Sequence, residues 1–191
     1  SAIWNAGETR ILTASNDGTV RIWHAISGQM LLEIQVSRMP LLGAVWNHDE
    51  NRLLTWGFDN MAHVFDTATG QELVRVQGHS DWVTIARWSA DEARILTTSS
   101  DMTVRLWDAN SGAELQRFAG HRDSVLGAAW NIEQSRILTW SVDGTTRVWD
   151  IASGQELLRL EGHTARVQKA IWSIDETQIL TASDDGTVRI W

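Results

Sequence analysis

The chain of 191 residues repeats itself every 42 positions, and this period restricts the folds open to it more than any other feature. Two series of residues carry the period. The first is Trp23, Phe65, Trp107, Trp149 and Trp191, and the second is Asp17, Asp59, Asp101, Asp143 and Asp185. No insertion breaks the register. The sequence therefore predicts one domain of stacked, equivalent units rather than several domains joined by linkers.

Each unit has the pattern of four short β-strands. "RILTAS" (10–15) and "TVRIW" (19–23) are rich in β-branched residues and are separated by Asp17-Gly18, a pair that favours a tight hairpin. A second turn signal, Ser27-Gly28 in the first repeat, precedes the later strands. The third repeat has Asp101-Met102 at the hairpin, so we expect a strained turn there. The predicted class is all-β.

Pairs of residues at fixed places in the repeat resemble those of the WD-repeat β-propeller family. The pairs are Gly78-His79, Gly120-His121, Gly162-His163, Trp107-Asp108 and Trp149-Asp150. The resemblance covers the whole chain and implies four-stranded antiparallel blades arranged around a channel. Residues 1–191 would then form a single propeller domain, or part of a larger propeller, with five blades of which the last lacks its outer strand.

Four residue types recur together in three repeats, always at the same spacing. They are His79, Thr97, Asp101 and Trp107; His121, Thr139, Asp143 and Trp149; and His163, Thr181, Asp185 and Trp191. A hydroxyl, an imidazole and a carboxylate are the parts of a hydrolase triad. A catalytic site normally occurs once, however, and the resemblance implies a structural hydrogen-bond network. We favour the network and predict no catalytic residue.

The second repeat departs from this pattern. It has Ser37 in place of the histidine and Phe65 in place of the tryptophan, so the usual network is not expected there. Trp56 is interpreted as filling the space that this leaves. Trp140 holds the matching position in a repeat whose network is intact, so the interpretation is incomplete.

Composition and motifs exclude several functions. The net charge of -8 and a single lysine argue against binding to nucleic acid. Cysteine is absent, which fits a cytoplasmic location, and no apolar stretch approaches the roughly 20 residues of a membrane-spanning helix. There is no phosphate-binding loop or zinc motif, and His24, His48 and His63 are scattered, as surface or turn residues would be. We therefore expect no cofactor, no metal, no membrane partner and no enzyme.

The resemblance places a binding surface on one mouth of the channel, at three positions in each blade. The residues expected to bind a protein or peptide partner are Pro40, Leu42, Phe58, Trp82, Thr84, Leu126, Val142, Arg166 and Asp184. Contiguous apolar residues on loops indicate a protein interface. The alternative is that these side chains turn inward and plug the channel.

Two main functions follow from these expectations. The first is an interaction scaffold, such as the sensing module of a larger bacterial signalling protein. The second is a propeller fragment that forms homo-oligomers through the open edge of its last blade. An enzyme at the channel mouth ranks third. The arrangement of the blades stays open at this stage: a closed five-bladed ring, part of a larger ring, or a ring assembled from several copies.

Overall fold

All residues from 1 to 191 are described in a computed structural model, which contains 19 β-strands and no helix. In chain order the strands are β1 Ala2–Trp4, β2 Arg10–Ala14, β3 Thr19–His24, β4 Met30–Gln35, β5 Leu41–Trp46, β6 Arg52–Gly57, β7 Met61–Asp66, β8 Glu72–Gln77, β9 Val83–Trp88, β10 Arg94–Ser99, β11 Thr103–Asp108, β12 Glu114–Ala119, β13 Val125–Trp130, β14 Arg136–Ser141, β15 Thr146–Asp150, β16 Glu156–Leu160, β17 Val167–Trp172, β18 Ile179–Ser183 and β19 Val188–Ile190.

These strands form five antiparallel sheets, each made from consecutive strands. Blades one to four are β1–β4, β5–β8, β9–β12 and β13–β16, and blade five is the three-stranded sheet β17–β19. The predicted all-β class and the missing outer strand of the last blade are both confirmed. Sequential strands pair because short turns join them, as the hairpin signals predicted.

The hairpin between the second and third strands of each blade needs a left-handed residue. Gly18 has a φ of 80° at this position, and Asn60 and Met102 both have a φ of 67°. Asparagine tolerates this region well, whereas a methionine side chain is strained there. The third blade therefore contains the strained turn that the sequence predicted.

Four apolar clusters hold the blades together, and each cluster joins two successive blades. In the first, Leu12 and Ile22 of blade one pack against Leu53 and Phe65 of blade two. The first strands of blades two to five also contact one another in turn, so they lie nearest the axis and line the channel. Every blade thus depends on its neighbours to bury its apolar faces.

The blades form an open arc in which no apolar cluster joins blade five to blade one. The two end faces are uncovered as a result. Trp4 in blade one is 56% exposed, whereas its equivalent Trp46 is 8% exposed. Val188 and Ile190 in blade five are 64% and 66% exposed. The closed five-bladed ring, one of the three arrangements left open by the sequence, is not formed.

A polar contact, which we call the carboxylate latch, supplements the apolar clusters at the junctions between blades. Glu50 of blade two accepts hydrogen bonds from Asn5 Nδ2 at 2.8 Å, from the Ala6 backbone N–H at 2.7 Å and from Arg10 Nη2 at 2.7 Å, all in blade one. Glu50 has a φ of 57°, and the equivalent residue of every repeat has a φ between 54° and 57°, so this left-handed conformation belongs to the turn and is present with or without the latch. At the blade two–three junction Glu92 accepts from Asn47 and lies 3.5 Å from Arg52. At the blade four–five junction Glu176 accepts from Asn131 and from the Ile132 backbone N–H but forms no ion pair with an arginine.

Candidate functional site

The recurrent His–Thr–Asp–Trp residues lie within hydrogen-bonding distance of one another in blade three. Trp107 Nε1 donates to Thr97 Oγ1 at 2.8 Å, and Thr97 Oγ1 lies 2.7 Å from His79 Nε2. His79 Nδ1 lies 2.8 Å from the Asp101 carboxylate. A neutral imidazole that accepts from threonine and donates to aspartate satisfies every group in this chain.

Blades four and five repeat the same geometry. The residues are His121, Thr139, Asp143 and Trp149 in blade four, and His163, Thr181, Asp185 and Trp191 in blade five. In each case the aspartate also accepts from the backbone N–H that follows the histidine, and it caps the hairpin turn of its own blade. The incoming loop is thereby tied to the second and third strands.

Burial determines the protonation state of these networks. Desolvation lowers the pKa of His79 and of His121, which keeps both rings neutral near neutral pH. For Asp101, burial alone would raise the pKa, but hydrogen bonds from His79 and Thr103 outweigh it and hold the pKa well below its usual range. Thr97 and Thr139 are fully buried with their oxygens already engaged. Neither hydroxyl can reach a substrate in the folded chain.

Blade two replaces this network with a different arrangement. Thr55 Oγ1 is buried without a hydrogen-bond partner, because Ser37 and Phe65 supply neither the imidazole nor the indole. His63, predicted from the sequence to be a surface or turn residue, is instead buried on β7, 3.0 Å from the Asp59 carboxylate and 2.7 Å from Glu72.

His63 could have been found from the repeat register. The matching position holds arginine in every other repeat: Arg21, Arg105, Arg147 and Arg189. In blades one, three and four this arginine pairs with the turn aspartate and with a glutamate of the outer strand. Although desolvation opposes it, the two carboxylates raise the pKa of His63, so the histidine takes the place of the missing cation.

The two unusual tryptophans are explained by glycines on the neighbouring strand. Trp56 pairs across the sheet with Gly43, where an added Cβ would lie 2.2 Å from the indole ring. Trp140 pairs with Gly127 in the same way, at 2.3 Å. The interpretation that Trp56 fills the space left by the missing network was therefore wrong. Each large ring occupies the space that its opposite glycine leaves.

The loops expected at the channel mouth are joined by one hydrogen bond that recurs in blades two to five. In blade three the Ser100 N–H donates to the Trp82 carbonyl at 2.9 Å, and in blade two the Phe58 N–H donates to the Pro40 carbonyl at 3.0 Å. Blades four and five have the equivalent bond. These bonds place the start of each first strand beside the hairpin turn of its blade.

An apolar patch crosses from blade two to blade three on this mouth. The rings of Phe58 and Trp82 lie with their centroids 4.2 Å apart. Leu42 is 39% exposed and Trp82 is 45% exposed, whereas Pro40 and Phe58 are half-buried. We call these four residues the mouth patch. Two of its four members, Leu42 and Trp82, are open to solvent.

The remaining predicted partner residues differ from the mouth patch. Leu126 and Val142 are half-buried in blade four. The Thr84 hydroxyl donates to the Val125 carbonyl at 2.6 Å, so it joins blade three to blade four. Arg166 and Asp184 form an ion pair with each other on blade five.

Comparison with known proteins places this geometry in a family. The model of the WD domain, G-beta repeat, matches residues 1–24, 70–108, 112–150 and 154–191. The chain belongs to the WD40 repeat family. The unmatched stretch between these ranges contains the aberrant repeat with Ser37 and Phe65, so the family pattern weakens where the buried network is lost.

Among solved structures, this WD40 chain is similar to the crystal structure of the computationally designed Ika8 protein. The TM-score is 0.87 at 25% sequence identity, and the likeness covers 100% of this chain and 57% of that one. The chain thus spans little more than half the length of the designed protein. No curated protein sequence matches it. The structure contains no helix that is long and apolar enough to cross a membrane.

Proposed function

We propose that this WD40 chain is a non-catalytic platform that holds a protein or peptide partner on its mouth patch. The observation that carries the proposal is the contact between the tilted rings of Phe58 and Trp82, which leaves aromatic surface of Trp82 exposed beside a second ring. Tryptophan is a favoured anchor in interfaces because it contributes a large contact area and little conformational entropy. The absence of cysteine is compatible with a cytoplasmic setting.

The mouth patch can be tested by selection from a displayed library of random peptides. We expect peptides selected on the wild-type chain to bind Trp82→Ala at least ten-fold more weakly, because the anchor is removed. Leu115→Ala, at a similarly exposed leucine on the outer strand of the same blade, is the matched control and should leave binding unchanged. Unchanged peptide binding together with a large fall in melting temperature for Trp82→Ala would instead identify Trp82 as a channel plug.

A second candidate function is head-to-tail assembly with other copies. The uncovered face of blade five carries Val188 and Ile190, whose equivalents Val20 and Ile22 are buried against blade two. The uncovered face of blade one carries Trp4, whose equivalent Trp46 is buried against blade one. The two end faces are therefore the two halves of the interface that the chain already forms four times. A second copy could dock with the same geometry.

Light scattering over a range of concentrations tests this assembly. We expect oligomers to form, and Ile190→Glu to abolish them because it places a charge in an apolar interface. A monomer at every concentration would contradict the second candidate and leave the mouth patch proposal untouched.

A further inference from the structure

The carboxylate latch fails at one junction, between blades three and four. Gln134 stands where the other junctions have Glu50, Glu92 and Glu176, and Ser89 stands where they have an asparagine. Ser89 turns back within its own blade and donates to Asp91. Arg94 reaches only the neutral amide oxygen of Gln134, at 3.4 Å. This junction therefore has the latch arginine but lacks the latch carboxylate.

Asp91 does not replace the missing carboxylate. It lies near enough to Arg94 for the arginine to help lower its pKa, but it forms no ion pair with Arg94. Its oxygen is already bonded by the Ser89 hydroxyl and by the Ala93 backbone N–H. The Arg94 guanidinium instead stacks over Trp130, 5.2 Å from the ring centroid. Its charge is left without an anion.

A second unpaired arginine lies on the same face of blade three. Arg87 pairs across the sheet with Leu96, two residues along β10 from Arg94, so both arginines point toward blade four. The equivalent residues in the other blades are apolar: Ile3, Val45, Ala129 and Ile171. Arg87 is exposed to solvent, although its neighbours desolvate it enough to lower its pKa, and it forms no ion pair and no side-chain hydrogen bond. Its exposed guanidinium is therefore free to bind an anion from solution, and a carboxylate matches its planar fork.

Arg87 also lines an apolar cavity of about 390 Å³ along the inner strands of blades two to four. The wall includes Val45, Trp56, Ile85, Trp88 and Trp130. This volume is in the range of small-molecule and side-chain binding sites, which usually combine apolar walls with few polar groups. The cavity uses the later residues of the inner strands, whereas the mouth patch uses residues at their start. The two sites are therefore separate.

We propose that this junction binds an external carboxylate carried next to an apolar or aromatic group, as at the free C-terminus of a peptide. The apolar group enters the tryptophan-lined cavity. The carboxylate binds the guanidinium of Arg87, with Arg94 beside it, in the place that the chain's own glutamate takes at the other latches. Arginine suits this role because its planar fork matches a carboxylate in a bidentate arrangement.

Titration calorimetry with three peptides distinguishes binding of a C-terminal carboxylate from binding of a side-chain carboxylate. The first is acetyl-Ala-Leu-Phe with a free C-terminus, the second is the same peptide as its amide, and the third is acetyl-Ala-Glu-Leu-Phe-amide. We expect the free acid to bind and the first amide to bind at least ten-fold more weakly. Binding of the glutamate peptide as tight as that of the free acid would support the carboxylate site with a side chain as its ligand. Equal binding of the free acid and its amide, or no binding of any peptide, would overturn the proposal.

Two variants test the residues independently. Arg87→Val introduces the residue of blade two, and Gln134→Glu supplies the missing latch carboxylate, which competes for Arg94. Both should weaken binding of the free acid at least ten-fold, and Gln134→Glu should raise the melting temperature. Arg38→Val, at an exposed arginine without an ion pair, is the matched control and should bind as the wild type does. Unchanged binding in both variants would contradict the assignment to this junction.

Discussion

His79 and His121 show how one residue in a repeat couples folding to protonation. Each ring is buried between a threonine hydroxyl and an aspartate, and burial lowers its pKa. As the pH falls below the ordinary histidine pKa of 6.5, these rings are therefore protonated in the unfolded chain before they are protonated in the folded chain. By linkage, the stability from the neutral ring is complete above that pH and is lost as the pH falls below it.

We therefore expect the free energy of unfolding to fall as the pH is lowered from 7.5 to 5, measured by urea denaturation. His63 acts in the opposite sense because its pKa is raised, so its contribution is lost as the pH rises above 6.5. The comparison is best made in a His63→Arg background, which matches the other blades. His121→Gln should reduce the slope between pH 7 and 5, and an unchanged slope would show that the buried ring is not the titrating group.

Met102 illustrates a residue-scale strain that the sequence alone revealed. Its φ of 67° is unfavourable for a methionine side chain, and glycine occupies the same position in blades one, four and five. We expect Met102→Gly to stabilise the chain by roughly 0.5–1 kcal/mol, the relief of strain less the entropy that glycine loses on folding. Thermal denaturation would measure the gain. Gly18→Ala is the converse control and should destabilise, because its Cβ would lie 2.1 Å from the Ser37 carbonyl oxygen.

At the scale of the element, residues that face each other on neighbouring strands are matched in size. Trp56 lies opposite Gly43 and Trp140 opposite Gly127, whereas blade three has Thr98 opposite Ile85 at the same place. The tryptophan ring on one strand fits only because the facing residue on the next strand is glycine. This signal was present in the sequence, but reading it required the cross-strand register, because residues 13 positions apart give no local sign that they touch.

Coupling between the paired positions can be measured with a double-mutant cycle. Gly43→Ile alone should destabilise the chain by about 2–3 kcal/mol, because the new side chain meets the Trp56 ring. The double variant Gly43→Ile with Trp56→Thr reproduces the pair of blade three. It should lose much less stability than the sum of the two single changes in urea denaturation. Additive losses would mean that the two positions act independently.

At the scale of the whole molecule, the latches distinguish the junctions inside the chain from its two ends. Blade five has Ser173 and Gln178 where complete latches have asparagine and arginine, while blade one presents Glu8 in the left-handed conformation of Glu50. A head-to-tail contact between copies would therefore bury the apolar faces without forming a latch. Its affinity should be limited by this missing polar contact.

The double variant Ser173→Asn with Gln178→Arg should strengthen association between copies about ten-fold, since it offers Glu8 of a second copy a complete set of donors. Sedimentation at several concentrations would measure the change. Adding Glu8→Gln should remove the gain. A gain that survives this third change would mean that the new residues act somewhere other than the latch.

The sequence by itself determined the blades. A period of 42 residues, turn residues at constant offsets and recurrent histidines and tryptophans define the strands, their order and the residues of the buried networks, since these depend on contacts within one repeat and its neighbour. Only the tertiary structure decided that the five blades form an open arc and that Arg87 and Arg94 face a junction without a carboxylate. Closure depends on the rotation accumulated over all the blades. An unpaired charge is visible only when every neighbour that might pair with it has been placed.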